Sequence, residues 1–256
     1  MVGAAPIAPE ILEFMLAAGI AVSEVWGISE TSGPATGNPP GAIRIGTAGK
    51  PIPGMQLKLA GDGELLARGP TVMKGYRGDP PKTAEAIDPG GWLHTGDIAT
   101  IDDDGYVRIV DRKKELIINA AGKNMSPANI ETAVLAASPL IGHVAAIGDR
   151  RPYITALIVL DPDAAALFAA QHGIADPAPA ALAAHPAVRA AAGTAVKTGN
   201  GKLSRVEQIK RFTILPAFWE PGGDEITPTM KLKRRPIAAK YAGIIESMYA
   251  MAGEPV

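Results

Sequence analysis

Residues 104–131, DGYVRIVDRKKELIINAAGKNMSPANIE, restrict the possible folds more than any other stretch of the chain. Asp104-Gly105 between alternating apolar residues signals a tight hairpin, with a strand predicted over 106–110. Four consecutive charges follow, Asp111, Arg112, Lys113 and Lys114, before a second short apolar strand at 116–118. Charges packed between two strands form either a solvated bend or a hinge, where a few residues absorb rotation between two packed bodies. A glycine loop at 121–124 then leads to Ser126-Pro127, the pairing expected at the N-cap and first position of a helix. Glu131 lies in the first turns of that helix.

Bulk properties exclude several classes. The 256 residues suffice for one large or two ordinary domains, and a net charge of −1 creates no global field for nucleic acid or anionic membrane. The charge is unevenly placed. No Lys or Arg precedes Arg44, whereas residues 194–240 hold ten basic and four acidic residues, as solvated surface or a site for phosphorylated ligands. With no cysteine, disulfides, thiolate metal sites and a cysteine nucleophile are excluded, and a reducing, cytoplasmic compartment fits. The N-terminal MVGAAPIAPEILEF has neither the basic start nor the unbroken apolar run of a signal peptide. No apolar run reaches 18 residues, so no transmembrane segment is expected, although peripheral membrane contact is compatible with the sequence.

Along the chain, Pro9 opens a helix whose Ile11, Leu12, Met15 and Leu16 share one face, and Gly19 stops it. A strand is expected at 20–25, then a loop carrying Trp26-Gly27-Ile28-Ser29-Glu30-Thr31. One helix with one or two strands cannot close a parallel sheet, which needs cover on both faces, so the sequence reads as starting mid-fold. Residues 40–110 change to short strands and Gly/Pro turns, the pattern of a small antiparallel or barrel-like unit. Two motifs there are turns only. Gly46-Thr47-Ala48-Gly49-Lys50 has Arg44 where a phosphate loop needs its first Gly and Pro51 where it needs Ser/Thr. Asp102-Asp103-Asp104-Gly105 has Thr100 at the first position of a calcium loop and Asp111 at its last. Further on, strands are expected at 141–146 and 154–160. Helices are expected in the alanine-rich 163–171 and over 203–212, the latter with Glu207 and Arg211 paired at i,i+4.

Five motifs, in order, resemble the adenylate-forming superfamily of acyl-CoA synthetases, luciferases and peptide-synthetase adenylation domains. Trp26-Gly27-Ile28-Ser29-Glu30 is similar to its aromatic-Gly-x-Thr-Glu motif. By that resemblance Trp26 lies beside adenine, Ser29 places a hydroxyl near phosphate, Gly27 belongs to the same nucleotide-binding motif, and Glu30 holds Mg²⁺. Gly63-Glu64-Leu65-Leu66-Ala67-Arg68-Gly69, ending in Gly75-Tyr76, matches a motif of mainly architectural role. Trp92-Leu93-His94-Thr95-Gly96-Asp97 resembles the family's ribose motif. A carboxylate suits it because Asp97 only accepts and can take two hydroxyl donors at once. His94 reads as packing. Arg112 matches an arginine that reaches the ribose, Lys114 the residue about which a lid pivots, and Gly122, Lys123 and Asn124 a loop entering the site for thioester formation. Thr227-Pro228-Thr229-Met230-Lys231 resembles the loop bearing the adenylation lysine, Lys231, with Met230 in place of the usual Gly. Lys202-Leu203-Ser204-Arg205-Val206-Glu207 and the alanine-rich insert before it resemble the long-chain fatty acyl-CoA synthetase branch.

The resemblance implies an α/β plus α+β architecture. Residues 1–112 would end the large AMP-binding domain, as a βα remnant and a small β-barrel-like unit, and 113–256 would form a mobile C-terminal α+β lid. It implies ATP, Mg²⁺ and coenzyme A as cofactor and substrates, and a fatty acid as the other reactant. The acid would attack ATP to give acyl-AMP and pyrophosphate; the thiol of coenzyme A would then displace AMP, with Lys231 leaving and the Gly122 loop entering between steps. The Gly-rich loop that cradles β- and γ-phosphates does not occur in the sequence, so the chain alone is expected to make little or no acyl-AMP. Three readings stay open: a C-terminal portion of a long-chain fatty-acid–CoA ligase, a non-catalytic AMP- or CoA-binding module, and half of a split ligase that needs a separate N-terminal partner chain.

Overall fold

The computed structural model describes residues 1–3 and 7–250. Part of the N-terminal MVGAAPIAPEILEF stretch and the last six residues of the expected 113–256 lid therefore lie outside the described residues. The chain divides into two compact units, Met1–Leu116 and Ile117–Val256.

In the first unit, α1 (Pro9–Ala17) has proline in its first turn and ends as Gly19 takes φ +80°. Only Leu12 of its expected apolar face is buried; Ile11, Phe14 and Leu16 are exposed, Phe14 to 71%. β1 (Val25–Ile28) leads through one 3-10 turn (Ser29–Thr31) into β2 (Gly33–Gly37), followed by β3 (Lys50–Pro51) in an antiparallel β1-β2-β3 sheet. The strand expected at 20–25 is thus displaced towards Trp26, because β2 supplies backbone partners only from Val25 onward. β4 (Gln56–Leu59), β5 (Glu64–Arg68), β6 (Leu93–Ile101) and β7 (Val107–Arg112) form a sheet in sequence order, with α2 (Pro80–Ala86) between β5 and β6. Trp26, Ala35, Met55, Leu65, Ala67, Ala99 and Val107 make this unit's core.

The β6–β7 hairpin turns where the sequence places it. Gly105 takes φ +83°, and Asp102 Oδ1 accepts the amides of Asp104 and Tyr106 at 3.1 and 2.9 Å. Arg44 pairs with Asp102 and Asp104, so the would-be calcium carboxylates serve an ion pair. The strand runs past 110 to include Asp111 and Arg112, because Asp97 and Arg112 are Cα partners across the ladder.

In the second unit, β8 (Ile117–Ile118) and β9 (Asn124–Met125) form a short hairpin. α3 (Pro127–Leu135) starts as expected, with Ser126 Oγ accepting the Asn129 amide at 3.0 Å. β10 (Ile141–Ile147) and β11 (Ile154–Leu160) pair antiparallel. The chain then passes through α4 (Pro162–Gln171), α5 (Pro179–Ala184) and α6 (Pro186–Asn200) to β12 (Ile209–Ile214), which pairs parallel with β11. α7 (Arg234–Lys240) and α8 (Ala242–Ala250) follow. Every residue of β11 is buried, as a central strand covered on both faces requires. Its alternate residues divide two cores: Ile154, Ala156, Ile158 and Leu160 join residues of α3, α4 and α6, whereas Leu157 and Val159 join Trp219, Ile237 and Ile245.

The helix expected at 203–212 is absent. Residues 204–208 turn, and β12 begins at Ile209. Two forces override the local pattern. Ile209 is wholly buried, and the buried Asn200 side chain bonds both backbone groups of Ile209, each at 2.8 Å, in place of a neighbouring strand. Glu207 accepts the Ser204 amide and hydroxyl rather than reaching forward one helical turn to Arg211. Among the described residues, no helix is long and apolar enough to cross a membrane.

Candidate functional site

The first unit gathers three of the sequence-predicted residues at one point. The β5–β6 register shifts between Glu64 and Leu66, and Gly96 on β6 takes φ +71°, an irregularity that re-aims the next side chain. Buried Thr95 fixes the bend: its Oγ1 donates to the Leu65 carbonyl at 2.6 Å and accepts the Asp97 amide at 3.1 Å. Asp97 is 3% exposed. Its Oδ2 accepts Trp26 Nε1–H at 2.8 Å and its Oδ1 meets Arg112 Nε at 2.7 Å. Burial raises the Asp97 pKa, outweighing the Arg112 guanidinium and the indole hydrogen bond, which oppose it. A carboxylate has about four lone-pair positions. Two are used here, so Asp97 retains acceptor capacity for two hydroxyl donors, and such donors would favour its charged form.

Glu64, which the motif reading treated as architectural, holds this corner together. It is buried, accepts the Gly96 amide at 2.9 Å and pairs with Lys113 Nζ at 3.0 Å, while the Lys113 amide donates to the Gly96 carbonyl at 2.8 Å. Burial acts to raise the Glu64 pKa, but Lys113, the Gly96 amide and His94 together hold it below the ordinary carboxylate value. His94 Nδ1 lies 3.4 Å from Glu64 Oε2 on the exposed side. Lys114 is exposed in the turn between β7 and β8.

Ser29 and Glu30 occupy the 3-10 turn, Ser29 exposed and Glu30 half-buried. Gly27 is fixed by proximity: a Cβ there would lie 2.0 Å from the Gly33 carbonyl oxygen. Glu30 Oε1 accepts the Tyr76 hydroxyl at 2.8 Å, and the Glu30 carbonyl accepts the Met73 amide at 2.8 Å. The hydrogen bond to Glu30 raises the Tyr76 pKa. Tyr76 as a partner of Glu30 was missed at the level of sequence; the available signal was an aromatic hydroxyl after Gly75. Among the described residues, no group of three His, Cys, Asp or Glu side chains could hold a metal. Magnesium needs no such cage, since it commonly takes one or two carboxylates plus substrate phosphates, so a lone Glu30 fits that ion. Tyr76→Phe removes one partly exposed hydrogen bond to a carboxylate and is expected to destabilise the first unit by about 1 kcal/mol. A urea midpoint equal to that of the unsubstituted chain would show that this bond contributes nothing.

The second unit carries the other predicted residues. Gly122, Lys123 and Asn124 are exposed; the first two lie in a turn closed by Asn119 Oδ1, which accepts the amides of Ala121 and Lys123, each at 3.0 Å, and Asn124 opens β9. Lys231 is exposed on a tight loop: the Thr227 amide donates to its carbonyl at 2.8 Å, and its own amide donates to Thr227 Oγ1 at 3.0 Å. Met230 takes φ +63°, the left-handed conformation that explains why glycine is the easier residue there, and its side chain is 52% exposed.

The sequence matches the AMP-binding enzyme family over residues 1–77 and the AMP-binding enzyme C-terminal domain over 114–253. It is 63% identical over 253 residues to the Mycobacterium tuberculosis protein named fatty-acid–CoA ligase fadD11, covering 99% of this chain and 44% of that protein. It is 41% identical over 248 residues to the long-chain-fatty-acid–CoA ligase FadD15 of Mycobacterium bovis, covering 96% of this chain and 41% of the relative. The chain therefore spans less than half the length of these relatives. Among solved structures, the adenylation domain of a carboxylic acid reductase from Segniliparus rugosus, in complex with AMP and a carboxylic acid, superposes with a TM-score of 0.75 at 23% identity. That match covers 97% of this chain and 38% of the other. The o-succinylbenzoate CoA synthetase of Bacillus subtilis, in complex with its acyl-adenylate intermediate, gives 0.70 at 22% identity, over 99% of this chain and 46% of its own. The chain belongs to the AMP-binding enzyme family.

Proposed function

We propose that this chain supplies the ribose site and the lid of a long-chain fatty-acid–CoA ligase. The observation that carries the reading is Asp97, buried between Trp26 and Arg112 with acceptor capacity in reserve. In the first step a fatty-acid carboxylate oxygen attacks the α-phosphorus of ATP and pyrophosphate leaves. In the second, the thiol of coenzyme A loses its proton and attacks the acyl carbonyl, and AMP leaves. Asp97 accepts the two ribose hydroxyls, Arg112 favours its charged form against burial, Trp26 offers a flat face to adenine, Gly27 belongs to the nucleotide-binding turn, and Ser29 lines the phosphate side. Lys231 places a cation where negative charge shifts towards pyrophosphate. The loop of Gly122, Lys123 and Asn124 serves the thioester step. Glu30, steadied by Tyr76, would hold Mg²⁺, which supplies charge neutralisation to the phosphates when bound. A pivot at Lys114 is supported by position, since Lys114 is exposed directly after Lys113, which is tied to Glu64 and Gly96 of the first unit; the boundary proposed at 112/113 falls four residues before the division of the compact units at 116/117. The cytoplasm, which supplies ATP and reduced thiols, is the proposed compartment.

A second reading, in which turnover requires a further polypeptide carrying a phosphate-binding loop, is favoured by one observation. The exposed Ile11 and Phe14, three positions apart, share one side of α1 and make it an apolar surface fit for docking. The ribose site is common to both readings and is tested directly. In calorimetric titration the chain is expected to bind AMP at least about 10-fold more tightly than 2′,3′-dideoxy-AMP, since two hydrogen bonds to a charged acceptor are lost. Equal affinities would remove Asp97 from the site and the reading with it.

A further inference from the structure

Lys231 sits on an exposed loop, yet a cation that must meet one phosphate needs a fixed base. Three residues after it, Arg234 extends its guanidinium to Glu131 on α3: Nη1 to Oε1 at 2.6 Å and Nη2 to Oε2 at 2.9 Å, the parallel fork geometry of a strong pair. Glu131 is 6% exposed and also accepts the Ala146 amide of edge strand β10 at 2.9 Å, so its carboxylate is itself held in place. An arginine as the first residue of α7 opposes that helix's dipole, so helix formation alone does not account for it. The intervening residues are also anchored. Leu232 bridges to Ile226, and the Lys233 amide donates to the Glu225 carbonyl at 2.7 Å. On its other side, Glu131 sits one turn beyond the Ser126 cap, which follows Met125 and Asn124 of the short hairpin.

We infer that Glu131 and Arg234 are positioning residues that fasten the Lys231 loop and the loop of Gly122, Lys123 and Asn124 to one rigid helix. The inference rests on the adenylation reading for what the loops do, though the fastening itself is independent of any nucleotide. One ion pair thereby sets the base of both loops, and a single substitution at Glu131 disturbs the two together.

The test is amide hydrogen exchange on the whole chain without ligand, with Lys231 followed by NMR as its ¹³C-dimethylated amine. Arg234→Met is expected to speed exchange at residues 226–233 by at least about 10-fold, the loss of one charged hydrogen-bonded pair, while amides of the central β11 stay protected. Glu131→Gln is expected to speed both 226–233 and 121–125 and to shift the Lys231 methyl resonance. Arg234→Lys, which keeps the charge without the fork, should recover part of the protection and the resonance. Unchanged exchange at 226–233 would overturn the inference. So would faster exchange spread evenly through β10 and β11, which marks general loosening rather than positioning. An adenylation reading that fails the AMP titration leaves these exchange results unaffected, so the two failures are told apart.

Discussion

Asp97→Ala is expected to eliminate measurable AMP binding and to destabilise the first unit by about 3 kcal/mol. Both effects have the same origin. The substitution removes the acceptor of Trp26 Nε1–H and the partner of Arg112 Nε, leaving a buried indole donor unsatisfied and a half-exposed guanidinium unpaired. One stranded buried donor and one lost charged pair are each worth about 1–3 kcal/mol, the latter at the lower end because Arg112 reaches solvent. Asp97→Asn keeps the shape but removes the charge and one acceptor. Its amide nitrogen must face Trp26 or Arg112, both of them donors, so it should bind AMP little better than the alanine variant. Because burial holds the Asp97 pKa above its unfolded value, the group's contribution is largest below the unfolded pKa and declines as pH rises through the folded pKa. Titrations against AMP and urea melts at two pH values check all of this. AMP affinity within twofold of the unsubstituted chain would detach Asp97 from the nucleotide.

Gly27→Ala is the second large expected effect, at about 3 kcal/mol or more, again with loss of AMP affinity. The added Cβ would sit 2.0 Å from the Gly33 oxygen, 2.7 Å from its carbonyl carbon and 2.8 Å from the Pro34 Cα, all backbone. Backbone cannot move aside as a side chain does, so β1 and β2 must part where Gly27 opposes Pro34 and Ile28 opposes Gly33. Trp26, one residue away, would lose its alignment to Asp97. Gly122→Ala makes the control. Gly122 has φ +76° but nothing within 4 Å of an added Cβ, so only the conformational strain of about 1 kcal/mol applies. Urea unfolding followed by tryptophan fluorescence separates the two; a Gly27→Ala midpoint no lower than that of Gly122→Ala would refute the close approach.

What could be read in the residues was mostly local. Asp104-Gly105 turned the β6–β7 hairpin, Ser126-Pro127 opened α3, and the strand expected at 154–160 is β11. Trp26, Asp97 and Arg112 were legible through motifs, and they meet. What was not legible depends on distance along the chain. Tyr76 reaches Glu30 across 46 positions and Arg234 reaches Glu131 across 103, separations on which no periodicity bears. Residues 203–212 were misread for the same reason. Their i,i+4 charges favour a helix locally, but Asn200 and the parallel partner β11 decide for a strand, and neither is visible in a short window.

The parallel pairing of β12 with β11 has a kinetic consequence. Strands β4 to β7 find partners among their immediate successors, whereas β12 meets β11 only after a crossover that includes three helices. Closing so long a loop before any contact rewards it slows assembly. Pairing of β12 with β11 is therefore expected to be slower than closure of the β4–β7 hairpins.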